Sequence, residues 1–225
     1  MDATISADII HSTKLSEPGA IELQTRLFEF VRLVNRKFDG CWGRIVRGDG
    51  FECAVSDPHH LMRIVLLLKC LVKMVKVKLE NGGIKETDKR FLRLGIRIAV
   101  AIGNLRINNR ERKIMDGEAI YRSGRALSNM RIFDTFSIAC AYEESEAVVR
   151  SLFLLVNHIM TRATARQCQA MFMRLQDVPD NEIARAMGIS RIGVYLHLKA
   201  LGWDAIRETL KCYESLDFGR SWRLR

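Results

Sequence analysis

Apolar residues in this chain follow two different periods. Ala3 to Ile10 and Leu94 to Ile102 are short, nearly continuous apolar runs of the kind found in buried strands. Pro18 to Phe38 and Leu61 to Leu79 instead place apolar residues every three or four positions, as amphipathic helices do. The pattern therefore predicts strands and helices that alternate along the chain.

A hairpin is predicted between the first two helices. Cys41 to Val46 and Phe51 to Val55 are short strand-like runs separated by the sequence Arg-Gly-Asp-Gly. Gly48 and Gly50 tolerate positive φ, which tight turns between strands require. We therefore expect Asp49 at the tip of a hairpin.

The remaining pattern continues this alternation up to about residue 160. It predicts a loop at Asn81 to Lys89, a helix at Asp116 to Met130, a strand at Arg131 to Cys140 and a helix at Glu143 to Met160. The resulting order is β-α-β-β-α-β-α-β-α. Such an order favours an α/β (α+β) fold, in which helices pack against an open sheet.

A second domain is predicted from residue 161 to residue 225. Thr164-Ala165-Arg166-Gln167 is a capping box, which starts a new helix after the boundary. The length of the chain allows a domain at 1–160 and a small all-α domain at 161–225, each with its own core.

The stretch from Asp180 to Leu198 has the spacing of a helix-turn-helix. Ala184 is small where two helices cross, Gly188 permits the turn, and Val194 packs back onto the first helix. The second helix is then expected to enter the major groove of DNA, with Arg191 reading a base. The predicted DNA-binding residues are Ser190, Arg191, Ile192, Tyr195 and Lys199. A helical module for protein interaction is the alternative interpretation.

Two aspartates in separate turns are the main candidates for chemistry. Asp8 ends the first strand, and Asp49 lies in the hairpin. If the sheet places these turns side by side, the carboxylates form an oxygen-ligand site for Mg²⁺ or Mn²⁺. The turn after Asp8 is predicted to hold phosphate oxygens, through residues Ile10, His11, Ser12 and Thr13. The alternative is that each aspartate caps its own turn.

Four segments together resemble known families. They are Ala7-Asp8-Ile9, Gly48-Asp49-Gly50-Phe51, the strand from Gly95 to Gly103 and the helix from Gly117 to Arg125. Their order is similar to the class III nucleotidyl cyclases and to the palm domain of diguanylate cyclases. A closer resemblance is to the SatD-like family, bacterial proteins with the two aspartate motifs and a C-terminal segment like a DNA-binding domain. The C-terminal segment also resembles helix-turn-helix modules of the sigma-factor and LuxR kind.

The resemblance implies a ferredoxin-like, nucleotidyl-cyclase-like sheet and a set of site residues. Asp8, Asp49 and the backbone of Ile9 would hold the metal ion, while Tyr121 and Arg125 would contact the nucleotide or the transition state. Active cyclases carry an asparagine at the position of Tyr121, whereas the arginine is kept as Arg125. Ile45 and Ile114 stand where the base-selecting lysine and acid are expected. These departures imply a degenerate cyclase-like domain.

The composition of the chain predicts a class of binding partner and a cellular compartment. The formal net charge is +10, which attracts polyanions such as DNA, RNA and nucleotides. The six cysteines form no C-x-x-C pair, which favours reduced thiols and a cytoplasmic location. No secretory signal is visible, and charged residues such as Lys69 and Lys73 interrupt the most apolar helix, so we expect no membrane span.

These observations together predict a regulator that binds DNA and senses a nucleotide or phosphate ligand. A homodimer is expected, because the cyclases build sites between two subunits and helix-turn-helix proteins commonly read paired half-sites. Two alternatives stay open. One is an active metal-dependent nucleotidyl cyclase or nucleotidyltransferase, and the other is a scaffold that binds no ligand and uses its helix-turn-helix for protein interaction.

Overall fold

A computed structural model describes residues 1–75, 95–131, 134–140 and 143–218. The strands are β1 (Asp2–Ile9), β2 (Trp42–Val46), β3 (Gly50–Val55), β4 (Ile96–Gly103), β5 (Ile107–Asn109), β6 (Ile114–Asp116) and β7 (Phe136–Cys140). The helices are α1 (Glu17–Lys37), α2 (Leu61–Met74), α3 (Glu118–Ser128), α4 (Glu143–Arg162), α5 (Ala165–Arg174), α6 (Asp180–Met187), α7 (Arg191–Leu201) and α8 (Trp203–Glu214).

The main sheet is five-stranded, with the order β2-β3-β1-β4-β7. Strand β1 lies in the centre and pairs antiparallel with both β3 and β4, whereas β7 pairs parallel with β4 at the edge. The path from β1 to β4 gives the strand order of the ferredoxin-like β-α-β-β-α-β unit. The predicted mixed α+β, ferredoxin-like fold is therefore confirmed.

One face of the sheet carries the core of this fold. Alternate residues of β1, such as Ile5, are buried together with Leu27 and Phe30 of α1 and Leu67 of α2. Helix α1 begins where the sequence places it, because Ser16 caps its N-terminus by accepting a hydrogen bond from the backbone N–H of Gly19. The apolar stripes of α1 and α2 thus cover the same side of the sheet.

The opposite face is polar at its centre and is covered by α3. Thr4 and Ser6 of β1 are buried and hydrogen-bond to the hydroxyl of Ser123 on α3, at 3.0 and 2.8 Å. A Cβ atom at Gly103 would lie 3.7 Å from Ala119, so small residues allow the helix to approach the strands closely. Side chains that alternate with the apolar core residues of β1 therefore face α3.

A second, two-stranded sheet formed by β5 and β6 is not part of the sequence prediction. It lies beside β2, where the indole N–H of Trp42 donates to Asn108 Oδ1 at 2.5 Å. Strand β6 ends at Asp116, so the helix predicted from that residue starts two residues later, in α3. The strand predicted from Arg131 begins at Phe136 instead.

The C-terminal helices pack against α2 and share its core. One continuous cluster of buried apolar side chains includes Leu67 of α2, Met171 of α5, Val194 of α7 and Leu210 of α8. The buried hydroxyl of Tyr213 donates to the backbone oxygen of Pro58 at 2.8 Å, which joins α8 to the N-terminal segment. This cluster runs across the boundary predicted at residues 160 and 161, because α2 is apolar enough to face the sheet on one side and the terminal helices on the other. The division into two domains stays a prediction.

Several other expectations concern the chain as a whole. All six cysteines are free thiols, and Cys212 is the exposed one among them. Within the described ranges, no helix is long and apolar enough to cross a membrane. The loop predicted at 81–89 and the last turns of the helix predicted to Leu79 lie outside the described residues.

Candidate functional site

The sheet brings the turns of Asp8 and Asp49 together. Asp8 lies opposite Gly50 in the β1–β3 ladder, so Asp49 is one residue from the cross-strand partner of Asp8. Both residues are therefore at the same end of neighbouring strands, as the sequence predicts.

Arg97 of β4 holds the carboxylate of Asp8. These residues are cross-strand partners in the β1–β4 ladder. The Nε of Arg97 donates to Oδ1 of Asp8 at 2.9 Å, and its Nη2 donates to Oδ2. This hydrogen bonding raises the pKa of Arg97 above its usual value. Both oxygens of Asp8 therefore already have a cationic partner.

Asp49 is held by the turn that follows β1. The Ser12 hydroxyl donates to Oδ2 of Asp49 at 2.5 Å. Arg47 and Gly48 adopt positive φ in the hairpin turn, at 53° and 82°. Gly50 does not have a positive φ. A glycine is required there because a Cβ atom would lie 2.7 Å from the backbone oxygen of Val46. The hairpin tip and the β1 turn thus contact each other directly.

The predicted phosphate turn is partly used by the fold itself. The backbone N–H of Ile10 donates to the oxygen of Gly95 at 3.0 Å, so it is not open to a phosphate in this arrangement. His11 adopts the left-handed conformation, with a φ of 57°, and precedes a short 3-10 helix at Ser12–Lys14. Thr13 is exposed in that helix, whereas Ile9 is buried at the end of β1.

The hydrogen bonds of the two aspartates leave few of their oxygen lone pairs open to a divalent ion. Mg²⁺ and Mn²⁺ need several oxygen ligands, but Arg97 occupies Asp8 and Ser12 occupies one oxygen of Asp49. Over the ranges that the structure describes, no group of three or more His, Cys, Asp or Glu side chains could hold a metal ion. Metal binding thus stays a prediction that requires Arg97 to leave Asp8.

Tyr121 and Arg125 lie on the exposed side of α3, one helical turn apart. The Tyr121 hydroxyl donates to Asp116, which also accepts from Arg106, and these two bonds lower the pKa of Asp116. In the described part of the chain, no hydrogen bond or ion pair joins Tyr121 or Arg125 to the two aspartates. Tyr121 is therefore engaged with Asp116 rather than with the predicted metal ligands, and its role in binding a nucleotide stays a prediction, as does that of Arg125.

The helix-turn-helix forms as the spacing predicts. Gly188 ends α6 with a φ of 64°, and the backbone N–H of Ile189 donates to the oxygen of Ala184 at 3.1 Å. Ser190 caps α7 by accepting from the N–H of Gly193 at 3.0 Å. Val194 is fully buried against the preceding helices.

The opposite side of α7 is open and carries positive charge. Arg191 and Lys199 are exposed, and Ile192 and Tyr195 have 71% and 57% of their surface accessible. The Nζ of Lys199 lies 5.6 Å from the centre of the Tyr195 ring, which is a cation–π distance. We call this surface the α7 face, defined by Ser190, Arg191, Ile192, Tyr195 and Lys199. It contains no acidic residue, and neither does the rest of α7.

Comparison of the chain with models of known protein families and with curated proteins gave no match.

Sequence reasoning did not find Arg97, although the residue has a visible signal. Arg97 interrupts an apolar strand, between Ile96 and Ile98, and a charge at such a position needs a partner on the same face of the sheet. The partner could be identified only from the register of β1 and β4. Ser12 was expected to contact a phosphate, whereas the structure shows it bonded to Asp49.

Proposed function

We propose that this protein is a DNA-binding transcriptional regulator whose ferredoxin-like domain senses a nucleotide or another phosphate ligand. The observation that carries the proposal is the α7 face. It lies on the second helix of a helix-turn-helix, begins at a capped N-terminus and is exposed over its whole length. In helix-turn-helix proteins the corresponding helix lies in the major groove, and its N-terminal residues contact base edges.

The chemistry of the α7 face suits DNA. Arg191 follows the cap directly, and an arginine at this place can form two hydrogen bonds with guanine. Lys199 lies two turns later, where it can contact a phosphate, and Tyr195 lies between them. The net charge of the chain, +10, supplies long-range attraction to the DNA backbone. Binding as a homodimer in the cytoplasm, to two half-sites, completes this part of the proposal.

Support for the ligand comes from the contact between the β1 turn and the hairpin tip. The hydrogen bond from Ser12 to Asp49 joins two turns that stand beside Asp8 and Arg97 at one end of the sheet. A phosphate group attracts a guanidinium and competes with a carboxylate for it. A phosphate ligand could therefore take Arg97 from Asp8 and release that carboxylate for a divalent ion.

The DNA-binding part is tested by selecting sequences from a random pool with the full-length protein. An enriched motif is expected, and Arg191→Ala should weaken binding to that motif by about tenfold or more, because a bidentate base contact contributes about 1–3 kcal/mol. Fluorescence anisotropy at several salt concentrations measures this change. Arg26→Ala is the matched control, since Arg26 is a partly exposed arginine on α1, outside the helix-turn-helix, and it should change binding little. An absence of any enriched motif would contradict the proposal.

The ligand part is tested on the same DNA complex. Each nucleoside triphosphate is added with and without Mn²⁺, and one of them is expected to change the affinity for DNA in the wild type but not in Asp49→Asn. Arg97→Met should strengthen Mn²⁺ binding in calorimetry, because it frees both oxygens of Asp8. If chromatography instead detects a cyclic or linear product that Asp49→Asn abolishes, the protein is a nucleotidyl cyclase or nucleotidyltransferase and the sensor proposal is wrong.

A further inference from the structure

A pocket separate from both sites lies where α2 meets the C-terminal helices. Its volume is about 360 Å³, which is in the range of small-molecule sites. One wall comes from Arg63 of α2, another from Arg174 and the connection between α5 and α6, and the third from Trp203, Arg207 and Lys211 of α8. We call this cavity the junction pocket.

Four cationic side chains line the junction pocket, against two acids. The acids already have partners, because Glu214 accepts from Arg63 at 3.0 Å and Asp177 pairs with Lys37 at 3.2 Å. Among the described residues, Arg207 and Lys211 pair with exposed acids on their own helix. Exposed pairs of this kind contribute little, so a ligand can replace them easily.

Arg174 has unused capacity to donate hydrogen bonds. Its Nη2 pairs with Asp180, but its Nε is buried and has no hydrogen-bond partner among the described residues. Burial also lowers the pKa of Arg174, as expected for a cation with too little compensation. The Arg174 side chain lines the pocket, so an anion there would bring this cation a second negative partner beside Asp180.

The pocket also offers an apolar and aromatic surface. Trp203 is half-buried at the start of α8, and Val178, Pro179 and Leu210 line the same space. A flat ring can pack against an indole and against the plane of an arginine, whereas a small inorganic anion would use neither surface. The lining thus combines positive charge with a place for a ring.

We infer that the junction pocket binds a small organic anion that carries an aromatic ring. Arg174 and Lys211 would pair with the anionic group, and Trp203 would contact the ring. Pro179 of the same pocket is the cap residue of α6, the first helix of the helix-turn-helix. The ligand would therefore connect α2 and α8 to the element that positions the α7 face.

The test uses full-length protein and 2-naphthoate as the probe. Two related compounds separate the contributions: 2-naphthalenemethanol has the ring without the charge, and acetate has the charge without the ring. Calorimetry should show that 2-naphthoate binds roughly tenfold more tightly than either compound, because each lacks one of the two interactions. An absence of 2-naphthoate binding at millimolar concentration, or equal binding of the alcohol, would overturn the inference.

Arg174→Gln keeps a polar side chain but removes the guanidinium and its charge, and it should weaken 2-naphthoate binding by roughly tenfold. Arg185→Gln is the matched control, because Arg185 is exposed on α6 and does not line the pocket. Circular dichroism checks that each variant is folded. If Arg174→Gln does not fold, the double variant Arg207→Gln, Lys211→Gln replaces it, since both side chains are exposed. Unchanged affinity in a folded pocket variant would show that the probe binds elsewhere and would overturn the inference.

Discussion

Lys69 of α2 is a charged residue inside the core. Its relative exposure is 5%, and its Nζ donates to the backbone oxygen of Thr135 at 3.2 Å. Burial, with a smaller contribution from Lys73, lowers the pKa of Lys69 to about 7. A buried amine with one hydrogen bond is more easily kept neutral than charged.

This lowered pKa makes the free energy of unfolding depend on pH. In the unfolded chain the pKa of lysine is about 10.4, so between pH 7 and pH 10 the unfolded state binds more protons than the folded state. The contribution of Lys69 to the free energy of unfolding should therefore become more favourable as the pH rises from about 7 to about 10. We expect the difference in unfolding free energy, wild type minus Lys69→Met, to increase from pH 7 to pH 10 in urea titrations. A difference that does not change with pH would show that Lys69 is charged in the folded protein.

The ion pair of Asp8 and Arg97 shows which contacts between single residues cannot be predicted from the sequence. The ends of the strands and the two acidic turns could be predicted, because they follow from local patterns. Which cation reaches Asp8 depends on the register between β1 and β4, and a shift by one residue would turn Arg97 to the other face of the sheet. A local pattern contains no information on that register.

At the scale of elements, long periodic segments could be predicted and short ones could not. Helices α1 and α2 and strands β1 and β4 begin within about two residues of the predicted positions, because their patterns are long or continuous. Strands β5 and β6 have three residues each, and all three residues of β5 are exposed, so no periodic pattern marks them. Their position depends on contacts with β2, such as the bond from Trp42 to Asn108.

Gly124, inside α3, and Gly188, at the C-terminal end of α6, should respond in opposite ways to replacement by alanine. A Cβ atom meets nothing within 4 Å at either Gly124 or Gly188, but Gly188 has a φ of +64°. Gly124→Ala should stabilise the protein by about 0.5–1 kcal/mol, because alanine favours the interior of a helix. Gly188→Ala should destabilise it by about 1–2 kcal/mol, because the left-handed conformation is strained for alanine. Urea unfolding measures both, and shifts in the same direction would contradict this account.

At the scale of the molecule, the C-terminal helices are bound to the sheet domain by buried contacts as well as by polar ones. Lys73 of α2 donates to the backbone oxygens of Thr161, in the last turn of α4, and of Ala163, between α4 and α5. Tyr213 of α8 packs edge-on against Phe153 of α4, with ring centres 5.4 Å apart. The predicted division at residues 160 and 161 falls near the end of α4. The bond from Lys73 joins α2 to α4 before the division, and α5 packs against α2 after it.

This arrangement predicts a single unfolding transition. Tyr213→Phe removes the hydrogen bond to Pro58 and should lower the free energy of unfolding by about 1 kcal/mol, the typical contribution of such a bond. Hydrogen exchange in urea, followed on peptides from β4 and from α7, should show the same midpoint for both and the same shift in the variant. Ser215→Ala is the control, because its hydroxyl donates to the backbone oxygen of Cys212 in its own turn. Separate midpoints for β4 and α7 would show two independent units.

The second apolar side of α2 also limits how this architecture can change during evolution. A gene fusion that moved only the terminal helices to another protein would expose apolar side chains that are now buried between α2 and those helices, such as Met171 of α5. Both products would then tend to aggregate. Recombination is consequently expected to transfer the sheet and the terminal helices together, as one heritable block.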